Sequence, residues 1–323
     1  MAARVVCLSP FDESTVRAMF KGRHEVEVIK VADAPAQQAL LEACHEAHLV
    51  IADKKHKHRI DRRVLENMRN CLLIQQAAVG FDTVDHRAAA EYGIPVANAA
   101  GYNREAVADW TVLAMLNLLR RAHWGDRDMR SGGWDRESMV GHELGAMTVG
   151  IVGFGNVGST VARRLSGFGS TVLFNDPLPK HFEGAEPVDL QTLLARSDFV
   201  CIHTPLDVGT RGLIGTAALA AMKKGAIVIN AARGPIVDEA ALVEALRSGQ
   251  LSGAGLDVFD TEPLAADSPL RSMDQVFLSP HVGGATEEAE AYLLEVVGAN
   301  LLRALDGEEI QNVQNGVQRV VAG

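Results

Sequence analysis

The stretch Val149-Gly150-Ile151-Val152-Gly153-Phe154-Gly155-Asn156-Val157-Gly158 decides how this sequence is read. An apolar run ends in Gly-x-Gly-x-x-Gly, and Ser159-Thr160-Val161-Ala162-Arg163-Arg164-Leu165 continues at helical spacing. The pattern predicts a strand, a tight turn and a helix start, the layout that seats a pyrophosphate. In it Gly153 allows the turn, Gly155 lets a phosphate approach the backbone, and Gly158 lets helix and strand pack closely. Asn156 and Val157 open the helix, whose N–H groups and dipole face the phosphates. A second predicted strand, Thr171–Asn175, ends in Asp176, 18 residues after Gly158. A carboxylate there accepts both ribose hydroxyls of an adenosine and repels a 2′-phosphate, so NAD is expected in preference to NADP. The plainer reading, that Asp176 only begins the turn Asp176-Pro177, leaves its place at a strand end unexplained.

Length and composition bound the rest. The chain has 323 residues, enough for two domains with a core each. Hydrophobic residues make up 47% and charged residues 22%, a soluble globular composition. The net charge of −10 speaks against a nucleic-acid partner. No apolar run is as long as a membrane span, and Met1–Cys7 reads straight into a strand instead of a signal peptide. Cys7, Cys44, Cys71 and Cys201 are widely spaced and read as small buried hydrophobes, so neither a disulfide frame nor a metal site is expected. A reducing, cytoplasmic setting fits that usage.

Outward from the glycine turn, the chain alternates strand and helix, which predicts an α/β fold with parallel sheets covered on both faces. Before the turn, strands are expected at Arg4–Ser9, Glu25–Val31, Ala47–Ala52, Cys71–Ala78 and Ile94–Ala97, with helices such as Ala36–Ala47 and Asp61–Met68. None of these strands leads into a glycine-rich phosphate turn, so this part is expected to serve a substrate. The run Lys54-Lys55-His56-Lys57-His58-Arg59 is either a solvated loop or an electropositive lip for an anion. At Val79-Gly80 the backbone N–H groups offer a seat for a carboxylate, and Asp85 is placed to cap the helix His86–Tyr92. Asn103–Trp124 reads as one long helix with apolar residues on more than one face, followed by an arm, Gly125–Gly145. After Asp176, strands at Asp198–His203, Ala226–Asn230, Ala254–Phe259 and Gln275–Ser279 bring the sheet to six, the count of a dinucleotide-binding domain. A final helix, Thr286–Asp306, is long enough to return to the first domain.

Open parallel sheets bind ligands beyond the carboxyl ends of their strands, and polar residues gather at those ends. His203-Thr204-Pro205 follows one strand and Ala231-Ala232-Arg233-Gly234-Pro235 the next. Asp257 and Glu262 follow the fifth, and Pro280-His281 the sixth. Arg233 suits a bidentate grip on a carboxylate and can polarise an adjacent carbonyl. His281 carries the side-chain type suited to proton exchange with an alcohol or ketone oxygen, and Glu262 suits fixing its tautomer. Asp257 is placed to accept from a nicotinamide carboxamide, and His203 to line the cofactor.

The chain resembles the D-isomer-specific 2-hydroxyacid dehydrogenase family. The resemblance rests on Val79-Gly80-Phe81-Asp82, the glycine turn with Asp176, His203-Thr204-Pro205-Leu206 with Thr210, Asn230-Ala231-Ala232-Arg233-Gly234, Leu256-Asp257-Val258-Phe259 with Glu262-Pro263, and Ser279-Pro280-His281-Val282-Gly283-Gly284. It implies catalysis by Arg233, Glu262 and His281, with NAD(H) as cofactor. It also implies a substrate seat at Val79, Gly80, Arg233 and His281, and cofactor contacts that include Thr204, Pro205, Thr210, Ala231, Asp257 and Gly283. It implies a Rossmann domain over 100–287, a flavodoxin-like substrate domain from 1–99 plus 288–323, closure of the two to exclude water, and a homodimer through the Asn103–Trp124 helix. Three positions depart from the pattern: Lys55-His56 after the third strand, Gln76 where a basic residue is common, and Asp109 where glutamate is usual. The first two leave substrate identity open among a small 2-keto or 2-hydroxy acid, a phosphorylated acid, formate and phosphite. A non-catalytic, co-repressor-like nucleotide sensor would not need the trio. No regulatory domain is expected after residue 323.

Overall fold

The computed structural model describes residues 2–31, 37–54, 57–178 and 180–318, which form two compact units, Met1–Tyr102 with Thr286–Gly323, and Asn103–Ala285. The first carries five strands among the described residues: β1 (Ala3–Cys7), β2 (Val26–Lys30), β3 (Leu49–Ala52), β4 (Leu73–Gln76) and β5 (Val96–Ala97). All pair in parallel in the order β2-β1-β3-β4-β5, the flavodoxin-like order. Side chains alternate faces along a strand, so each strand feeds two cores. Val5, Leu49, Ile51 and Leu73 pack with Val16, Phe20 and the returning helix Glu287–Asp306 through Leu293, Val297 and Leu301. Val6, Val50 and Ile74 pack on the other face with Leu65 and Ala88. Asp85 caps the helix His86–Glu91 by accepting from Ala88 N at 2.9 Å.

The second unit holds β6 (Thr148–Val152), β7 (Thr171–Asn175), β8 (Ala185–Pro187), β9 (Phe199–Ile202), β10 (Ala226–Asn230), β11 (Leu251–Leu256) and β12 (Val276–Leu278). Their order, β12-β11-β10-β9-β6-β7-β8, is the doubly wound Rossmann arrangement with one strand added. The strand order reverses between β6 and β9, and that switch point places the crevice beyond their carboxyl ends. One face packs Val152, Val200, Ile202 and Val228, and the other Val149, Ile151, Cys201 and Ile229 against Trp110, Ala114, Met115 and Leu118.

Two expectations need correction. Among the described residues the sheet has seven strands and not six; the unread one, β8, is short, mostly exposed and ends in Pro187, features that periodicity does not register. The helix Asn103–Trp124 is two helices, Arg104–Leu119 and Ala122–Arg130. Arg121 breaks it in the left-handed region at φ 51°, and the second helix starts afresh where Asn117 Oδ1 accepts from His123 N at 2.9 Å. The arm therefore begins as a helix. The basic run, read above as a solvated loop or an electropositive lip, is mixed where it is described, with Lys57 and Arg59 exposed. Lys54 pairs with Glu290, and His58 Nδ1 lies 2.8 Å from Asp53 Oδ2 with both side chains buried. Lys55 and His56 lie outside the described residues. Gln76, buried, donates to Asp53 O at 3.0 Å, a bond to the chain that a basic residue would make only with its charge buried.

Candidate active site

The glycine turn sits at the switch point. Gly153 has φ +90°, and a Cβ there would stand 2.7 Å from the His203 carbonyl carbon and from Thr204 N, so the segments after β6 and β9 touch backbone to backbone. A Cβ at Gly158 would meet Gly153 O at 2.2 Å, whereas one at Gly155 would meet nothing within 4 Å. The turn is thus packed shut on the protein side and open at Gly155. The helix Asn156–Ser166 follows with Gly155 as its N-cap, so the cap residue offers no side chain to the leading N–H groups. This cradle fits a dinucleotide pyrophosphate.

Asp176 closes β7 with its side chain only 9% exposed. It accepts from Phe154 N at 2.8 Å, Leu178 N at 2.9 Å and Lys180 Nζ at 2.7 Å. Desolvation pulls its pKa up, but these donors win and hold it below the ordinary aspartate value. The role of Lys180 was not legible in the sequence. Its only cue there is the four-residue step from Asp176.

His203 is half-buried, yet its Nε2 is sealed from solvent with no hydrogen-bond partner among the described residues. Desolvation pushes its pKa down to about 4, so the ring is neutral at working pH and unsuited to proton donation. An orphaned polar nitrogen beside the phosphate cradle is a further mark of a site built for a polar ligand. Between the ordinary histidine value of about 6.5 and about 4, the unfolded chain binds a proton at this position that the folded chain refuses. The contribution is therefore complete above about pH 6.5 and is lost as pH falls toward about 4, on the order of 3 kcal/mol in all. Denaturant titrations across that window are expected to show a flatter pH dependence for His203→Gln than for the parent; parallel curves would contradict the assignment.

Thr210 shapes the loop after β9: its Oγ1 donates to Pro205 O at 2.7 Å and accepts from Asp207 N at 2.8 Å. After β10, Asn230 forms the next turn, its Oδ1 accepting from Ala232 N and its Nδ2 donating to Arg233 O, both at 3.0 Å. Arg233 Nη1 donates to Ala232 O at 2.7 Å. A Cβ on Gly234 would stand 1.9 Å from the Phe259 carbonyl, so the Arg233 turn lies directly on the segment that leads to Glu262. Asn230 stands in the quoted motif, but nothing in the motif shows that its amide builds the turn.

The structure brings Glu262 and His281 together. Glu262 Oε2 lies 2.7 Å from His281 Nδ1, and Oε1 accepts from Phe259 N at 3.1 Å. Desolvation alone would raise the Glu262 pKa. The bond and charge of His281, the Phe259 N–H and the Arg233 charge outweigh it and lower the value, keeping the carboxylate ionised. An ionised Glu262 makes Nδ1 a donor and leaves Nε2 for exchange.

His281 itself sits at φ 56°, a left-handed conformation that costs a non-glycine residue roughly 1 kcal/mol or more. Asp257, buried at the end of β11, holds it there. The Asp257 carbonyl accepts from His281 N at 2.8 Å, and its carboxylate accepts from Val282 N at 2.9 Å, Gly283 N at 2.7 Å and the Ser279 hydroxyl. The Asp257 carboxylate is thus first a latch for the His281 loop, with Ser279 and Gly283 as its partners. Three of its roughly four acceptor positions are already filled. Val79 and Gly80 lie in the other unit, after β4, where the Val79 carbonyl accepts from Asn98 Nδ2 at 2.7 Å.

A phosphate cradle at a Rossmann switch point, an acid at the end of β7 and a carboxylate-bound histidine after β12 define an NAD-dependent oxidoreductase. The description "D-isomer specific 2-hydroxyacid dehydrogenase, NAD binding domain" matches residues 112–283, and the chain belongs to that family. It is 37% identical over 308 residues to the glyoxylate reductase of Thermococcus litoralis, covering 92% of each. It is 34% identical to the D-3-phosphoglycerate dehydrogenase of Archaeoglobus fulgidus, covering 97% of this chain but only 59% of that protein. Among solved structures, the NAD-dependent formate dehydrogenase of Staphylococcus aureus in complex with NAD superposes at a TM-score of 0.84, with 31% identity and 99% of each chain covered.

Proposed function

We propose that this chain reduces a small, unphosphorylated 2-keto acid to the D-2-hydroxy acid, and catalyses the reverse oxidation, with NAD(H). The observation that carries the reading is the Glu262–His281 pair at 2.7 Å, latched by Asp257 one strand from the Arg233 turn. When bound, NAD(H) supplies or takes the hydride at C2. Arg233 grips the substrate carboxylate with its planar fork and polarises the neighbouring carbonyl. His281 gives its Nε2 proton to the keto oxygen during reduction and takes it back during oxidation. Glu262 steadies the imidazolium through Nδ1. Gly153, Gly155, Asn156, Val157, Gly158, Asp176, His203, Thr204, Pro205, Thr210 and Ala231 form the dinucleotide cradle, and the fourth acceptor position of Asp257 suits a carboxamide donor.

The phosphorylated-acid alternative drew on the basic run, and two of its members are already engaged, Lys54 by Glu290 and His58 by Asp53. The Thermococcus litoralis relative named glyoxylate reductase is similar over 92% of its length, which supports the smaller substrate. NADH oxidation measured with glyoxylate, hydroxypyruvate, pyruvate, phosphohydroxypyruvate and longer keto acids tests the assignment. Highest kcat/KM on glyoxylate or hydroxypyruvate is expected; a preference for phosphohydroxypyruvate would replace it with the phosphorylated reading, and turnover of none would end it.

We also infer a homodimer, supported by apolar side chains left uncovered on the second unit. Leu113, on the helix Arg104–Leu119, is 54% exposed, and Trp134, on the arm, is 74% exposed. Sedimentation of Leu113→Asp, Trp134→Asp is expected to give a monomer where the parent gives a dimer; a parent that sediments as a monomer contradicts this. No helix among the described residues is long and apolar enough to cross a membrane. The burial of Cys7, Cys44, Cys71 and Cys201 supports a reducing, cytoplasmic setting.

A further inference from the structure

The carboxylate that reads the adenosine ribose does not stand alone. Lys180 Nζ donates to Asp176 Oδ2 at 2.7 Å and to Phe154 O at 2.8 Å, the second contact reaching back to the glycine turn itself. Its side chain is 30% exposed, three times the share of Asp176, so the cation faces the solvent side of the pair. A lone acid at the end of β7 excludes a 2′-phosphate by charge. Here the nearest cation is a hydrogen bond away from that acid, so the two fields largely cancel at the position a 2′-phosphate would take. An ammonium has three N–H donors, and the bonds to Asp176 and Phe154 engage two of them.

We propose that Lys180 is a specificity-determining residue that lets this chain take NADP(H) beside NAD(H), giving a 2′-phosphate a cation and a donor in front of Asp176. The proposal rests on the dinucleotide site read above and extends it. A purely structural Lys180, tying the loop after β7 to the glycine turn, would serve both dinucleotides alike. A specificity residue acts on the phosphorylated one. The two roles therefore separate in the ratio of affinities, whatever the absolute values.

Nicotinamide fluorescence titration of the whole chain without substrate, using NADH and NADPH in parallel, measures that ratio. The parent is expected to bind NADPH within about tenfold of NADH. Lys180→Met is expected to weaken NADPH by about tenfold or more, the size of one charge-assisted hydrogen bond, and NADH by less than about threefold. Lys180→Arg, which keeps the cation, is expected to hold the parental ratio within about threefold. An identical NADPH-to-NADH ratio in the parent and Lys180→Met overturns the proposal, as does a parent that binds NADH and not NADPH. A parent that binds neither strikes the dinucleotide site itself, and the proposal falls with it.

Discussion

Replacing His281 by alanine is expected to lower kcat for 2-keto-acid reduction by roughly a hundredfold to ten-thousandfold, the usual share of a positioned general acid. NADH affinity is expected to change by less than about threefold. The reasoning starts from the backbone. His281 is held in a left-handed conformation by bonds from its own N–H to the Asp257 carbonyl and from Val282 and Gly283 to the Asp257 carboxylate. Truncating the ring leaves all of those bonds in place, so the loop keeps its shape and only the proton donor is lost. Glu262 cannot stand in. It lies behind the lost ring, against Nδ1 and not Nε2, with Oε1 tied to Phe259 N at 3.1 Å. Steady-state kinetics with a parallel fluorescence titration of NADH checks both halves. Full turnover in His281→Ala with NADH still bound would remove the histidine from the mechanism.

Arg233→Lys is expected to cost about a hundredfold to a thousandfold in kcat/KM, although it conserves charge. The turn around Arg233 explains why. Asn230 clamps both ends of it, and Gly234 lies so close to the Phe259 carbonyl that the chain cannot shift to bring a shorter point charge forward. A lysine there offers a cation without the planar fork, losing the bidentate grip on a carboxylate and the polarisation of its neighbouring carbonyl together. The acid limb of the pH–rate profile is expected to stay near its parental position, because the positive charge that helps keep Glu262 ionised remains. Saturation kinetics on the preferred keto acid reads the effect; kcat/KM within about threefold of the parent would show that charge alone suffices.

How much of this was written in the chain depends on the kind of signal. Local patterns were legible. The Gly153–Gly158 turn, the Asp85 cap and the run of strand-end polar residues all follow from spacing over a few positions, and so does the parallel α/β class. Elements that owe their existence to tertiary contacts were not. The strand Ala185–Pro187 has no hydrophobic alternation and forms because β7 offers it an edge. The break at Arg121 falls inside an apolar run that periodicity carries straight through, and it is set by Asn117 turning its side chain to His123 N.

At the site, the residue types and their strand ends could be read, but not the partners of each charge. Asp257 was assigned to the nicotinamide from its position. The structure shows that Ser279, Val282 and Gly283 take most of its acceptor capacity, a fact that depends on a loop more than 20 residues away. Asp176 was read as a bare negative charge, and only the folded loop shows the ammonium of Lys180 against it. Spacing reveals which groups are available; neutralisation and latching are decided by contacts that the sequence does not order.

The central claim is that Arg233, Glu262 and His281 serve hydride transfer between a nicotinamide and C2 of a 2-keto acid. It is tested most directly by reducing hydroxypyruvate, whose product has a stereocentre at C2, with NADH deuterated at both C4 positions and examining the product by NMR and chiral chromatography. One deuterium at C2 of a D-configured 2-hydroxy acid is the expected result, and a product carrying only protium at C2, or one of L configuration, would contradict it.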